Sequence, residues 1–198
     1  MTTTTRQHLL RAAERIFAEK GFYGASIANI AGELGLTKQA LLHHFGSKEK
    51  LYGEVLQAIS IRISEDAQTI RDQFDTPQSQ LEEMVLAQYR AQLSDHTSAR
   101  LIMRELLDNE QRAEKAGNWY LKPYLEELVS TIQAASDTPG LSRPRALARV
   151  YQFLGAAHYF AVSQPTLTMI FGRKLMKDAT ACYEDELRAL VHATLRQP

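Results

Sequence analysis

The 198-residue chain has a single cysteine, Cys182, and no long apolar run. One cysteine cannot form an intrachain disulfide or build a cysteine-based metal cluster, so both of these stabilising devices are excluded. No apolar stretch approaches the roughly 18 residues that a membrane-spanning helix needs, and the N-terminal residues MTTTTR lack the apolar centre of a signal peptide. These absences predict a cytoplasmic protein with no cofactor, no metal and no membrane partner.

The chain also lacks net charge, because 23 lysine and arginine residues balance 23 aspartate and glutamate residues. The charges are unevenly distributed, however. Residues 1–52 contain seven basic residues, four acidic residues and no aspartate, which gives this segment a local charge of +3. Local charge determines attraction to phosphate groups, so the N-terminal segment is compatible with a nucleic-acid partner.

Strand-like alternation of apolar and polar residues is missing throughout, and apolar residues recur at helical spacing instead. Gly21 is placed to end a first helix as a left-handed C-cap. No proline occurs before Pro77, so a long helix is predicted from Ser47 to about Phe74. Farther along the chain, Pro123 is expected to mark a kink or a second helix start, and Pro165 is expected to lie in a connection between two helices. The predicted C-terminal helices cover residues 77–93, 98–107, 113–135, 143–163 and 178–196.

Residues 25–52 contain two short helical patterns hinged at Gly35. The hydroxyl of Ser26 can cap one helix, and that of Thr37 can cap the next, at about residues 38–44. Gly35 can supply the positive φ of a tight turn between them. This arrangement, at about residues 26–45, is typical of a helix-turn-helix whose second helix lies in the major groove of DNA.

The second helix of this motif carries side chains that can read base edges. Gln39 can form a bidentate pair with adenine, Lys38 can reach guanine or a phosphate, and Ala40 or Leu42 can contact a thymine methyl group. Lys48 stands in a first helical turn, where a cation opposes the helix dipole, so a phosphate docked there would explain it. The predicted DNA-contacting residues are Ser26, Thr37, Lys38, Gln39, Ala40, Leu42, His43, His44 and Lys48.

Taken singly, these residues have plainer explanations. Lys38 and Lys48 would more often be solvated surface lysines, and the adjacent His43 and His44 point to different faces of a helix. No cysteine, aspartate or glutamate stands at ligand spacing beside the histidines, so a metal site is not expected. The complete motif favours DNA binding; no single residue does.

The same stretch, residues 9–52, resembles the DNA-binding domain of the TetR family of bacterial transcriptional regulators. Leu42 and His43 depart from the family pattern, which has tyrosines there that commonly bind phosphate; Leu42 cannot do so, whereas His43 can donate a hydrogen bond. The resemblance implies a DNA-binding domain at 1–52 and an effector-binding and dimerisation domain at 53–198. The residues that match the family are Phe17, Gly21, Ser26, Ile30, Ala31, Gly35, Leu36, Thr37, Leu41, His44, Phe45, Ser47, Lys48, Glu49 and Leu51.

A small-molecule effector among the C-terminal helices is a further implication of the resemblance. Tyrosine and tryptophan are favoured as ligand contacts because their polar ends need partners when buried, although apolar residues at helical spacing are more often simply core. With no evident cluster of buried charges, an apolar or weakly polar effector is favoured. The candidate lining residues are Leu81, Met84, Tyr89, Met103, Leu107, Trp119, Tyr120, Tyr124, Phe153, His158 and Tyr159.

A homodimer is predicted because one short recognition helix reads only a few base pairs, so two half-sites are needed. The last two helices carry apolar stripes that could form a four-helix bundle across a two-fold axis, or could face their own core. The interface candidates are Tyr151, Leu154, Leu187, Leu190 and Val191.

The sequence therefore predicts an all-α, homodimeric repressor that binds a pseudo-palindromic operator in double-stranded DNA and is released by an effector. The alternative is a helix-turn-helix regulator with no small-molecule effector, controlled by a protein partner or by its own concentration. An enzyme is not expected, because the chain has no nucleotide-binding glycine loop, nucleophile motif or catalytic carboxylate–histidine arrangement.

Overall fold

The computed structural model describes residues 5–108, 120–137 and 140–196, and the regular secondary structure in these ranges is entirely helical, which confirms the all-α fold class. None of the helices in these ranges has the length and apolar character needed to cross a membrane. In chain order the described helices are α1 (Thr5–Gly24), α2 (Ile27–Glu33), α3 (Lys38–Phe45), α4 (Lys48–Gln73), α5 (Pro77–Ser94), α6 (Thr97–Asp108), α7 (Lys122–Ala135), α8 (Arg143–Phe171) and α9 (Arg173–Leu195).

Side-chain capping fixes where the N-terminal helices begin. The hydroxyl of Ser26 caps α2 at 3.1 Å, that of Thr37 caps α3 at 3.1 Å and that of Ser47 caps α4 at 3.2 Å. Each oxygen accepts a hydrogen bond from the backbone N–H three residues ahead, which satisfies a donor that has no partner within the helix. These three predicted starts are confirmed. The positive φ predicted for Gly21 is also confirmed, at 70°, but it kinks α1, which continues to Gly24.

The chain divides into two compact units. Among the described residues, the first unit contains 5–62, 97–108 and 120–122, and the second contains 63–96, 123–137 and 140–196. Helix α6 therefore belongs with α1, α2 and α3, and α4 contributes to both units. This division differs from the boundary at residue 52 that the sequence suggested, so a functional domain at 1–52 stays a prediction.

A buried ionic network holds α6 in the first unit. Glu14 of α1 is only 5% exposed, and its carboxylate accepts hydrogen bonds from the Arg62 guanidinium of α4 at 3.0 Å and from the Ser98 hydroxyl of α6 at 2.6 Å. The Tyr52 hydroxyl of α4 also donates to the Glu105 carboxylate of α6 at 2.6 Å. Because a buried carboxylate is unfavourable without partners, the three helices are stabilised together.

The core of the second unit lies where α5, α8 and α9 meet. Tyr89 of α5 is buried there, and the rings of Phe160 and Tyr183 stack beside it with centroids 3.7 Å apart. Ion pairs also join α5 to α9, which fixes the two helices in register. The buried cluster consists of Leu86, Tyr89, Ala157, Ala161 and Leu187, the ion pairs are Arg90 with Glu184 and Arg188 with Glu82, and the His192 ring shares a hydrogen bond with Glu82.

The prediction of a connection around Pro165 is wrong. Helix α8 continues through Pro165 to Phe171, and only Gly172, with a φ of 84°, separates it from α9. Proline removes only one hydrogen bond, to the carbonyl four residues earlier, and the preceding turn is anchored by Ala161 in the buried cluster. Pro123 stands at a helix start, because α7 begins at Lys122; the preceding part of the predicted helix at 113–135 lies outside the described residues before 120.

Candidate nucleic-acid interface

The turn between α2 and α3 depends on Gly35. Its φ is 65°, and the Leu36 N–H beyond it donates to the Ala31 carbonyl at 2.8 Å, which closes the turn. A Cβ added at Gly35 would meet no atom within 4 Å, so glycine is favoured by the backbone angle and not by lack of room. The predicted role of Gly35 is confirmed.

Helix α3 is anchored by one face. Leu41 is fully buried and Phe45 is 4% exposed; because they lie four residues apart, they place the same face of the helix against the core. Lys38, Gln39 and His43 are exposed to solvent. The remaining predicted contact residues on or beside the helix are also accessible: Thr37 and His44 are exposed, and Ala40 and Leu42 are partly so.

Several of the basic residues counted in the N-terminal segment are already paired within the protein. Arg6 pairs with Glu54, and its guanidinium lies 5.0 Å from the centroid of the Phe45 ring. Lys20 pairs with Glu33 at 3.2 Å. Among the described residues Lys38 makes no ion pair, so its charge is available to a ligand. Glu14 of the segment is likewise paired, with Arg62 of α4, so these pairs occupy individual side chains but leave the local charge excess unchanged.

Lys48 has partners that the sequence did not indicate. Its Nζ donates to the backbone carbonyls of Phe22 at 2.9 Å and Ala25 at 3.0 Å, and lies 4.3 Å from the centroid of the Phe22 ring. Carbonyl groups near the C-terminal end of a helix carry partial negative charge. These carbonyl groups explain a cation in the first turn of α4 without a bound phosphate. They replace the docked phosphate that was predicted as the explanation for Lys48.

The adjacent histidines do not form part of a metal site in the described structure. The rings of His43 and His44 have centroids 6.0 Å apart and lie nearly perpendicular, at 79°. Within the described ranges, no group of three or more histidine, cysteine, aspartate or glutamate residues could hold a metal ion. Both imidazoles remain possible hydrogen-bond donors to a phosphate.

The residues proposed to contact an effector do not lie in one unit. Of the described candidates, three lie in the first unit. There, a Cβ at Gly53 would be 2.7 Å from the Tyr120 hydroxyl, so α4 accepts this ring only because residue 53 is glycine. Leu107 and Tyr159 are 79% and 68% exposed, so they do not line an interior site. The first unit holds Met103, Leu107 and Tyr120, the second holds Leu81, Met84, Tyr89, Tyr124, Phe153, His158 and Tyr159, and Trp119 lies outside the described residues.

Three buried candidates of the second unit have polar atoms with no hydrogen-bond partner among the described residues. They are the hydroxyls of Tyr89 and Tyr124 and Nε2 of His158. Burial raises the pKa of the Tyr124 hydroxyl, with a smaller contribution from Asp66, and lowers the pKa of His158 to about 4, so both are neutral near pH 7. An unsatisfied buried polar group costs roughly 1–3 kcal/mol, and such groups usually meet water or a ligand.

The dimer candidates divide between core and surface. Leu187 and Val191 are 2% and 1% exposed and belong to the core of their own unit, whereas Tyr151 and Leu190 are 48% and 37% exposed. Leu154 is partly exposed. The sequence missed an exposed apolar group at the end of α8 and the start of α9, signalled only by a run of apolar residues before Gly172. This group is Met169, Ile170, Phe171 and Leu175.

The N-terminal region is similar in sequence to known bacterial regulatory proteins. Residues 9–55 match the family model of the bacterial regulatory proteins of the tetR family. The transcriptional repressor AcnR of Corynebacterium efficiens is 25% identical over 170 residues, which cover 70% of this chain and 87% of that protein. The repressor NicS of Pseudomonas putida is 32% identical over 81 residues, 41% of this chain but only 38% of NicS.

Solved structures share the fold over nearly the whole chain. The fatty acid degradation regulator FadR of Bacillus halodurans superposes with a TM-score of 0.73, at 16% identity, covering 98% of this chain and 97% of that one. The regulator FadR of Bacillus subtilis, solved in complex with stearoyl-CoA, has a TM-score of 0.67 at 17% identity and covers 96% of each chain.

Replacing Gly35 with alanine should destabilise the turn by about 1 kcal/mol, because an L-residue is strained at positive φ. The control is Gly32→Ala in α2, where a Cβ also meets nothing within 4 Å but the φ is not positive; this variant should be neutral or slightly more stable. Urea unfolding followed by circular dichroism measures both changes. Equal effects of the two substitutions would contradict the role of the backbone angle.

His158 should make the protein less stable in acid. Its pKa is about 4 in the folded protein against 6.5 for a free histidine. Between these values the unfolded chain binds a proton that the folded protein does not, so stability falls by up to about 1.4 kcal/mol per pH unit as pH drops. His158→Gln should flatten this decline between pH 6.5 and 4, whereas the substitution His8→Gln at an exposed site should not. The unfolding free energies of the wild type and the variants are measured across this pH range. Equal slopes against pH for wild type and His158→Gln would contradict the prediction.

Proposed function

Since the chain belongs to the TetR family of bacterial transcriptional regulators, we propose that it represses transcription by binding a pseudo-palindromic operator as a homodimer. It is a DNA-binding regulator, and the effector that releases it is proposed to be a small molecule. The observation that carries the proposal is the α2–Gly35–α3 unit: a capped, tightly turned helix pair with one face of α3 buried and the other open to a ligand.

On this proposal α3 is the recognition helix. The exposed amide of Gln39 is suited to adenine, the ammonium of Lys38 to guanine or phosphate, and the partly exposed side chain of Leu42 to a thymine methyl group. The Ser26 and Thr37 hydroxyls accept the capping bonds of their helices and keep an O–H that can donate to a phosphate. The remaining assigned contacts are Ala40 to a thymine methyl group, and His43 and His44 to phosphate.

The dimer is proposed because a single α3 helix would read too few base pairs for a specific affinity. With Leu187 and Val191 buried within their own unit, the self-complementary surface is assigned to the exposed apolar side chains of α8 and α9. Tyr151, Leu154 and Leu190 are the members of the original set that can reach a second copy. No catalytic role is assigned, and the relatives AcnR and NicS are both described as transcriptional repressors.

The effector is proposed to bind in the second unit, against the unpartnered groups of Tyr89, Tyr124 and His158. Each is buried and neutral near pH 7, which suits a ligand with an uncharged hydrogen-bonding group. The Bacillus subtilis FadR structure contains stearoyl-CoA, which supports a small-molecule effector in proteins of this fold. Helix α4 contributes residues to both units, so an effector that prefers one arrangement of α4 would change DNA affinity.

Gln39→Ala should weaken sequence-specific DNA binding and leave non-specific binding unchanged. We expect a loss of about 10- to 100-fold for each half-site, the magnitude of one bidentate base contact, confined to one position of that half-site. The wild-type protein first selects duplexes from a random library, and fluorescence anisotropy then gives affinities for the selected and a scrambled duplex. Gln57→Ala on the exposed surface of α4 is the matched control. An unaltered base preference in Gln39→Ala would remove Gln39 from the recognition surface.

Tyr124→Phe should leave the free protein at least as stable as wild type, because it removes a buried hydroxyl without a described partner. It should also require about tenfold more of a releasing compound, found by screening metabolites for release of the wild type from its selected duplex. Tyr159→Phe, an exposed change on α8, is the control. A destabilised Tyr124→Phe variant would contradict the assignment, and a screen with no releasing compound would favour a regulator without a small-molecule effector.

A further inference from the structure

The first turn of α4 is fastened to the end of α1 by one side chain. Lys48 Nζ donates to the Phe22 carbonyl at 2.9 Å and to the Ala25 carbonyl at 3.0 Å, across sequence separations of 26 and 23 residues. Ala25 is buried and is followed directly by Ser26, the N-cap of α2. The ammonium therefore contacts the short connection that determines where α2 begins.

The Phe22 ring is held by two residues of α4. The Lys48 ammonium lies 4.3 Å from its centroid, and the Tyr52 ring meets it nearly edge-on with centroids 5.1 Å apart. Lys48 and Tyr52 are four residues apart, so they project from the same face of α4. This face of α4 contacts both the ring and the carbonyl of Phe22. The contact therefore constrains the angle between α4 and the end of α1 as well as their distance.

Charge and partial burial strengthen the contact. Carbonyl groups in the last turn of a helix have no partner within the helix, and a charged donor forms stronger hydrogen bonds to them than a neutral one. Lys48 is half-buried and both of its bonds are partly shielded from water. An ammonium that left these carbonyls for a phosphate would give up two charge-assisted hydrogen bonds and a cation–π contact.

Helix α2 in turn determines the place of α3, because the Gly35 turn joins them and Ile30 and Leu41 are both fully buried in the same unit. From this geometry we infer that Lys48 is a positioning residue for DNA recognition. It holds α2, and with it α3, at a fixed orientation to α4 through the Phe22 and Ala25 carbonyls, and it does not neutralise a phosphate. The inference rests on the proposed DNA binding and reassigns one of its residues.

The test compares Lys48→Met with Lys50→Met. Both remove a lysine charge from the first turn of α4, but the exposed Lys50 makes no side-chain hydrogen bond among the described residues. Affinities for the selected and a scrambled duplex are measured at several salt concentrations, well below the melting temperature of each variant. Lys48→Met loses both charge-assisted hydrogen bonds and should bind the selected duplex at least about tenfold more weakly. The scrambled-duplex affinity and the salt slope should be unchanged.

Lys48→Arg restores charged donors and should recover most of the lost affinity. If Lys48 only stabilised the fold in general, the folded variants would not differ in affinity in this way. A salt slope reduced by about 0.9 for each protomer in Lys48→Met would show a phosphate contact and overturn the inference. Unchanged affinity for the selected duplex would overturn it as well. If Lys48→Met does not fold, Lys48→Gln, which keeps an uncharged N–H donor, is measured in its place. A wild-type protein that selects no duplex refutes the proposed function instead, before any variant is compared.

Discussion

The buried carboxylate of Glu14 is the constraint on which the first unit depends. At 5% exposure it must be paired, and its partners come from two other helices: Arg62 of α4 and Ser98 of α6. Removing either helix would leave a charge in an apolar environment, which is among the most unfavourable changes that a folded protein can undergo. This requirement explains why α6 packs with the N-terminal helices although α5, which precedes it in the chain, belongs to the second unit.

The placement of α3, the proposed recognition helix, is rigid. Buried Leu41 and Phe45 fix the rotation of the helix, and the turn at Gly35 fixes its angle to α2. Ion pairs and carbonyl contacts occupy Arg6, Lys20 and Lys48, whereas the exposed Arg11, Arg15, Lys38 and Lys50 make no ion pair among the described residues. Four basic residues of the segment therefore stay available to phosphate, beside the placement of α3 by packing.

The second unit combines a stable frame with groups that do not serve stability. Stacked aromatic rings and the ion pairs between α5 and α9 hold the frame, and the pairing with Arg90 lowers the pKa of Glu184. In the same unit Tyr89, Tyr124 and His158 bury polar atoms without a described partner, at a cost in folding free energy. Groups that weaken a fold while sitting in its interior are typical of binding sites, where a ligand supplies the missing hydrogen bonds.

The sequence by itself determined the features that depend on residues close along the chain. Helix starts at Ser26, Thr37 and Ser47 and the turn at Gly35 follow from hydrogen bonds and φ angles within a few residues, so the α2–α3 pair could be predicted nearly to its ends. Only the tertiary structure decided the rest: that Lys48 meets carbonyls 23 and 26 residues away, that Glu14 and Ser98, 84 residues apart, bind each other, and that Leu187 is buried while Tyr151 is exposed. Apolar spacing shows that a helix has a buried face but not what covers it, because the partner is chosen by packing among all the helices at once.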